Sequence, residues 1–229
     1  MLPRWLIKLG FHLLYYQLAW TYEGVAWLVS FGQWPAWRRL ALHWMQPGRT
    51  LELAFGTGVF FIDMLAAGHR PLGVDLSPYM ARQAGRRLRR RNLEPRLSRA
   101  QAQALPFPSD YFANVVATFP SDYMLEPATL AEIYRVLRYP ASSQSAGRLI
   151  IVAEGQLRGP WPCRPVIDWL YKITNQRSLP PAKPLNLLAA HHFRARWEIV
   201  EHQGARARLL VAEKLGPASA PHPAIPNAF

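Results

Sequence analysis

Thr50-Leu51-Glu52-Leu53-Ala54-Phe55-Gly56-Thr57-Gly58-Val59 is an apolar strand that ends in a glycine turn and opens a helix. A turn of this kind lets backbone amides and the helix dipole face a ligand's negative group. Further on, Gly73-Val74-Asp75-Leu76-Ser77 sets a carboxylate at the tip of the second strand, 23 residues after Glu52. There it can accept hydrogen bonds from both hydroxyls of a ribose. Neither element is specific alone, but the pair points to a cofactor containing a nucleoside. A nicotinamide-binding fold carries G-x-G-x-x-G directly after the strand. Here the acidic Glu52 lies inside the strand end and the third glycine is missing, so the pattern moves away from dehydrogenases.

From Thr50 onward, short apolar runs alternate with helical stretches, the rhythm of a parallel sheet built from βα units. Strands are expected at 50–54, 71–75, 96–100, 112–118 and 148–154. Helices are expected at 58–67, at 78–91 behind the Ser77-Pro78 cap signal, and at 127–138 behind Glu126-Pro127. Beyond Gly155 the order changes. Residues 165–174 and 185–190 read as helical, and 193–202 and 206–214 as two strands turning at Gln203-Gly204, an antiparallel hairpin. The expected fold is α/β: a Rossmann-like, doubly wound, seven-stranded and mostly parallel sheet with a C-terminal antiparallel hairpin, preceded by N-terminal helices. The expected division is an N-terminal helical lid or membrane-surface segment at 1–46, a main domain at 47–215 and a disordered Pro/Ala-rich tail at 216–229.

The chain has 229 residues, 50% hydrophobic and 18% charged, so it is neither disordered by composition nor collagen-like despite 21 prolines. Its single cysteine, Cys163, cannot form an internal disulfide, and no Cys/His cluster has zinc-site spacing; no metal is expected. Six of the nine tryptophans lie within residues 1–46. Lys8, Glu23 and Arg38 divide that segment into uncharged runs of 14 residues, short of the roughly 20 a membrane-spanning helix needs. No signal-peptide cleavage pattern is present. The expectation is a cytoplasmic protein, able to lie on the inner face of the membrane through residues 1–40.

The segment at 50–59 resembles motif I of the class I S-adenosylmethionine-dependent methyltransferases, [D/E]-x-G-x-G-x-G, and Asp75 matches that family's ribose-binding acid. Two further blocks are similar to the branch of ubiquinone and menaquinone biosynthesis methyltransferases. Ala102-Gln103-Ala104-Leu105-Pro106-Phe107 resembles its D-A-x-x-L-P-F signature beside the adenine. Residues 111–119 resemble its fourth strand and 132–138 the helix before its fifth. The resemblance is close over 50–154 and loose elsewhere. It implies S-adenosyl-L-methionine as cofactor, with Glu52, Ala54, Phe55, Gly56, Thr57 and Gly58 at the amino-acid end. It places Asp75 and Leu76 at the ribose, Gln101, Ala102 and Gln103 at the adenine, and Thr118 at the end of strand four. Tyr22-Glu23 resembles a Tyr-Asp pair near the cofactor in this branch. Asp122 and Tyr123 follow the fourth strand and are candidates for touching the acceptor; with Tyr22 they are the candidates for a catalytic role.

Departures from the pattern carry expectations of their own. Ala54 replaces the first motif glycine, a change that costs about 1 kcal/mol if the position needs positive φ and little if it is extended. Gln101 stands where the family has Asp, and its amide carbonyl can still accept from an adenine amine. The turn before strand five is stretched to residues 139–147, expected as a mobile loop away from the cofactor.

The charge balance is 27 basic to 14 acidic residues, net +13. The arginines at 82, 86, 89 and 90 recur at helical spacing, which reads as a solvated face, and no nucleic-acid-binding signature accompanies them. Adjacent histidines such as His191-His192 do not face each other on a helix or strand, so no catalytic pair is expected there. The N-terminal aromatics argue for a small hydrophobic or aromatic methyl acceptor, such as a quinone precursor, a lipid or a metabolite. An RNA or protein methyltransferase and a catalytically silent cofactor-binding module stand as the alternatives.

Overall fold

The computed structural model describes Trp27, Ser30 and residues 32–139, 145–156 and 182–216. The first five strands are β1 (Arg49–Leu53), β2 (Arg70–Asp75), β3 (Leu97–Arg99), β4 (Asn114–Thr118) and β5 (Arg148–Gln156). Strands covered by helices on both faces are buried along most of their length, and β1 and β4 are so here, with the buried polar residues Thr50, Glu52 and Asn114 among their apolar ones. The chain then closes the sheet with β6 (Phe193–His202) and β7 (Ala205–Lys214). The strand order is β3-β2-β1-β4-β5-β7-β6, with β1 to β5 parallel and β7 antiparallel to both β5 and β6. The doubly wound sheet and its antiparallel end are as the sequence led one to expect.

Helices α1 (Trp34–Arg39), α2 (Val59–Ala66), α3 (Pro78–Arg89), α4 (Pro127–Val136) and α5 (Ala182–Ala190) lie over the sheet. One face packs Leu51, Leu53, Val115, Ala117, Leu149 and Ile151 against Leu130, Ile133 and Val136 of α4 and Leu188 of α5. The other packs Val116, Ile150 and Val152 against Phe60, Phe61 and Met64 of α2, Leu88 of α3, and Trp37 of α1. Helix α1 is therefore held by the same core as the sheet. Gly155 of β5 makes this possible, because a Cβ there would sit 2.1 Å from the Trp37 ring.

Where local boundaries differ from the expectation, a backbone bond or dihedral explains it. The strand expected at 112–118 begins at Asn114, because the chain bends at Ala113 and Phe112 pairs instead in an isolated bridge with Leu137. The first strand stops at Leu53, since Ala54 turns to φ +53°. Helix α3 ends at Arg89, ahead of Asn92 at φ +56°, and α4 ends at Val136, where Leu137 turns extended. The hairpin turns at Gln203 (φ +48°) and Gly204 (φ +82°), the positive-φ pair that matches strand twist. The helix expected at 165–174, most of the N-terminal helical segment and the tail beyond Gly216 lie outside the described residues.

Candidate functional site

In an open α/β sheet the ligand crevice lies at the carboxyl ends of the strands, where the strand order reverses. Here that point falls between β1 and β4. The chain leaves β1 through three left-handed positions, Ala54 (φ +53°), Gly56 (φ +54°) and Gly58 (φ +75°), before α2 begins. Two of the three are glycine, which adopts this conformation without strain; Ala54 does not. The loop is tied down by Ala54 N–H to Val74 carbonyl at 2.7 Å and Gly58 N–H to Phe55 carbonyl at 2.9 Å. Gly58 also lets α3 approach: a Cβ there would meet the Ala84 Cβ at 2.8 Å.

Asp75 closes this loop from the neighbouring strand. Its Oδ2 accepts from the Gly56 N–H and its Oδ1 from the Ser77 N–H, both at 2.8 Å. Burial raises the Asp75 carboxyl above the ordinary aspartate value, while the amides of Ser77, Gly56 and Leu76 pull it back. Each oxygen keeps a lone pair for a further donor. Ser77 then caps α3 through Met80 N–H to Oγ at 3.3 Å, with Pro78 in the first turn.

Glu52 lies behind the loop, 2% exposed, and its Oε2 has no hydrogen-bond partner. It pairs in register with Val116, so it shares the face that packs α1 and α2. Burial pushes its carboxyl well above the usual range. The Arg38 guanidinium opposes that rise, and Asp75 and Asp63 add to it. Arg38 is itself buried on α1, and next to it Arg39 Nε reaches Asp63 Oδ1 of α2 at 3.3 Å. A buried carboxylate oxygen without a partner is costly in an apolar surround and suits a cationic ligand group.

The other expected site residues take varied positions. Phe55 is 4% exposed, and a Cβ on Gly73 would lie 2.7 Å from its ring, so its side chain packs over β2 and only its backbone faces the loop. Thr57 is buried, and its carbonyl accepts from Arg87 Nη1 at 3.0 Å. Leu76 is 47% exposed at the crevice rim. Gln101 is exposed and Ala102 half-buried, while Gln103 Nε2 donates to Glu126 Oε2 at 2.7 Å. Thr118 ends β4, followed by Phe119 at φ +50°, whose ring lies 4.0 Å from that of Trp34. Asp122 is exposed and Tyr123 half-buried on a 3-10 turn, Asp122–Leu125. Tyr22 lies outside the described residues. Among the described residues no cluster of His, Cys, Asp or Glu could hold a metal ion.

A model of a methyltransferase domain matches residues 50–139. The demethylmenaquinone methyltransferase of Thermus thermophilus is 34% identical over 173 residues, 72% of each chain. The chain belongs to the class I S-adenosylmethionine-dependent methyltransferases of the ubiquinone and menaquinone type. A ubiquinone/menaquinone biosynthesis C-methyltransferase of Pectobacterium carotovorum is 28% identical over 147 residues, covering 60% of this chain and 56% of that one. Among solved structures, the geranyl diphosphate C-methyltransferase of Streptomyces coelicolor, determined with S-adenosyl-L-homocysteine, superposes with a TM-score of 0.58 at 14% identity, over 79% of each chain. A methyltransferase-like protein of Methanococcus maripaludis superposes at 0.59 and 18% identity, over 86% of this chain and 92% of that one. Both likenesses concern the fold.

This methyltransferase uses S-adenosyl-L-methionine. The geometry fits that cofactor: two carboxylates with unused acceptor capacity, Glu52 and Asp75, flank a glycine loop at the carboxyl end of β1. The sequence reading gave no cofactor-site role to three further residues. The Arg38 guanidinium opposes the rise of the Glu52 carboxyl from a helix 14 residues upstream, Arg87 braces the loop, and the Trp34 ring tilts against that of Phe119 at 4.0 Å. Trp34 and Arg38 fall in the N-terminal segment read as a lid or membrane-surface element, and Arg87 on the arginine-rich helix.

Proposed function

We propose that this methyltransferase C-methylates a demethylmenaquinone-type quinol, a small apolar ring acceptor. The carrying observation is the Trp34–Phe119 ring pair at the carboxyl end of β4, with centroids 4.0 Å apart and planes tilted by 34°. It sets two half-buried aromatic rings at the end of the strand next to β1, a surface a planar ring could lie against. The names of the relatives in Thermus thermophilus and Pectobacterium carotovorum support the same acceptor class.

In this reading the loop residues Ala54, Phe55, Gly56, Thr57 and Gly58 present backbone to the cofactor's amino-acid end, and the free Oε2 of Glu52 receives its ammonium group. Asp75 accepts from the ribose hydroxyls beside Leu76, Gln101, Ala102 and Gln103 flank the adenine, and Thr118 borders the methyl. When bound, S-adenosyl-L-methionine supplies an electrophilic methyl on sulfur. The protein's task is then alignment: holding the acceptor ring carbon in line with that methyl while apolar walls exclude water. A ring carbon that accepts a methyl gives up its proton, and Tyr22, Asp122 and Tyr123 are the candidates for taking it. We assign residues 47–215 to the methyltransferase domain and residues 1–46 to a lid over the acceptor, with a cytoplasmic setting. Among the described residues no helix is long and apolar enough to cross a membrane.

The test is incubation of the purified protein with S-adenosyl-L-methionine and a short-chain demethylmenaquinol, read by mass spectrometry. The expected result is a product heavier by one CH2 that accumulates in step with S-adenosylhomocysteine. Cofactor binding without methylated quinol would overturn the acceptor assignment. Binding without turnover on any acceptor would favour the silent-module alternative.

A further inference from the structure

Helix α3 and the two loops around it carry a charge that the site does not use. From Leu76 to Arg99 the chain has eight arginines and one carboxylate, Glu94, which is engaged by Arg96 at 2.8 Å. The helix turns Met80, Ala84, Gly85 and Leu88 into the core. It turns Arg82, Arg86, Arg89 and Arg90 to solvent, and Arg91, Arg96 and Arg99 continue the exposed cationic face. Several of these arginines lie three or four residues apart, where like charges repel and weaken the helix, and no acidic neighbour on α3 relieves them.

The face also has an apolar rim at its crevice end. Leu76 and Tyr79 are 47% and 42% exposed, the Arg82 guanidinium lies 4.6 Å above the Tyr79 ring, and Arg99 Nε donates to the Leu76 carbonyl at 3.0 Å. Leu76 directly follows Asp75, so the rim borders the cofactor crevice. Arginines spread along a helix, with an aromatic and an aliphatic side chain at one end, match an anionic bilayer surface: phosphates along the stripe, apolar tips among the headgroups.

We propose that this arginine face, formed by α3 and the exposed arginines up to Arg99, docks the protein on anionic phospholipid with the crevice mouth towards the bilayer. It is built from other residues than the 1–40 segment singled out in the sequence. The choice of a bilayer over a nucleic acid rests on the lipid-quinone reading above, since such an acceptor resides in the membrane. Arg87 belongs to the loop brace and is left out of the test.

The experiment is co-sedimentation of the full chain with vesicles of phosphatidylcholine alone or with phosphatidylglycerol added, without acceptor or cofactor. The variant combines Arg82→Gln, Arg86→Gln, Arg89→Gln and Arg90→Gln. An equal-charge control combines Arg49→Gln, Arg70→Gln, Arg194→Gln and Arg196→Gln, also exposed. Wild type should bind the anionic vesicles and hardly the neutral ones. At roughly fivefold per charge, the α3 variant should lose on the order of 100-fold or more in partitioning, and the control less than about tenfold. Cofactor binding should be the same in all three proteins, which shows that the variants are folded. Equal binding to neutral vesicles, equal losses in both variants, or tighter binding to an RNA duplex than to anionic vesicles would each overturn the proposal. Because no acceptor is present, vesicle failure leaves the quinol assignment standing. Failure to methylate the quinol leaves the vesicle result standing.

Discussion

Ala54 is an alanine at φ +53° on the first turn of the cofactor loop, and replacing it by glycine should stabilise the protein. An L-residue in the left-handed region costs roughly 1–2 kcal/mol relative to glycine. Against that, glycine gains freedom in the unfolded chain, worth about 0.5–1 kcal/mol. The Ala54 side chain is exposed, so its removal opens no cavity, and the backbone bond to Val74 at 2.7 Å does not depend on it. The net expectation is a gain of about 0.5–1 kcal/mol, which for a domain of this size raises Tm by roughly 1–4 °C. The assay is a thermal melt of the cofactor-free protein, with Ala131→Gly as control. Ala131 is an exposed residue within α4, where the same change should destabilise by about 1 kcal/mol. An Ala54→Gly Tm at or below wild type, with the control falling as expected, would refute the strained-loop argument. Cofactor affinity should hold or rise, because the loop keeps its bonds.

Two substitutions test the carboxylates. Asp75→Ala leaves the Gly56 and Ser77 amides without their acceptor, so stability should fall by about 2–4 kcal/mol. Cofactor affinity, measured calorimetrically on the folded fraction, should weaken at least tenfold, about 1.4 kcal/mol; unchanged affinity would remove Asp75 from the ribose site. Glu52→Gln should raise the Tm of the cofactor-free protein at neutral pH and weaken cofactor binding. The folded carboxyl of Glu52 is raised above its unfolded value, so its contribution is fully present below the ordinary glutamate pKa and is lost as pH rises through the raised one. The wild-type Tm should therefore decline over that window, and the variant should decline less; parallel pH profiles would show that Glu52 carries no such penalty.

Much of the sheet was legible because parallel strands are short apolar runs and the helix starts carry Ser77-Pro78 and Glu126-Pro127. The hairpin was legible from Gln203-Gly204. Boundaries differ by a few residues where backbone partners decide them, as when Phe112 pairs with Leu137 outside the sheet and β4 starts at Asn114. The sequence posed the Ala54 question as a pair of alternatives, and the dihedral chose the strained one. What could not be read is contact between segments distant along the chain. Asn114 bonds to both Thr50 and the Gln46 carbonyl, and the Arg38 charge lowers the pKa of the Glu52 carboxyl, through a fold that no local pattern announces.

The seating of Trp37 on Gly155 has a consequence for how such chains are inherited and recombined. The indole occupies the space that any side chain at 155 would need. A larger residue at 155 is tolerable only after the tryptophan has shrunk, and a smaller residue at 37 leaves a void until position 155 grows. The two sites, 118 positions apart, therefore drift as a pair. A chimera that borrows the N-terminal segment of a relative must bring the matching piece of β5 with it.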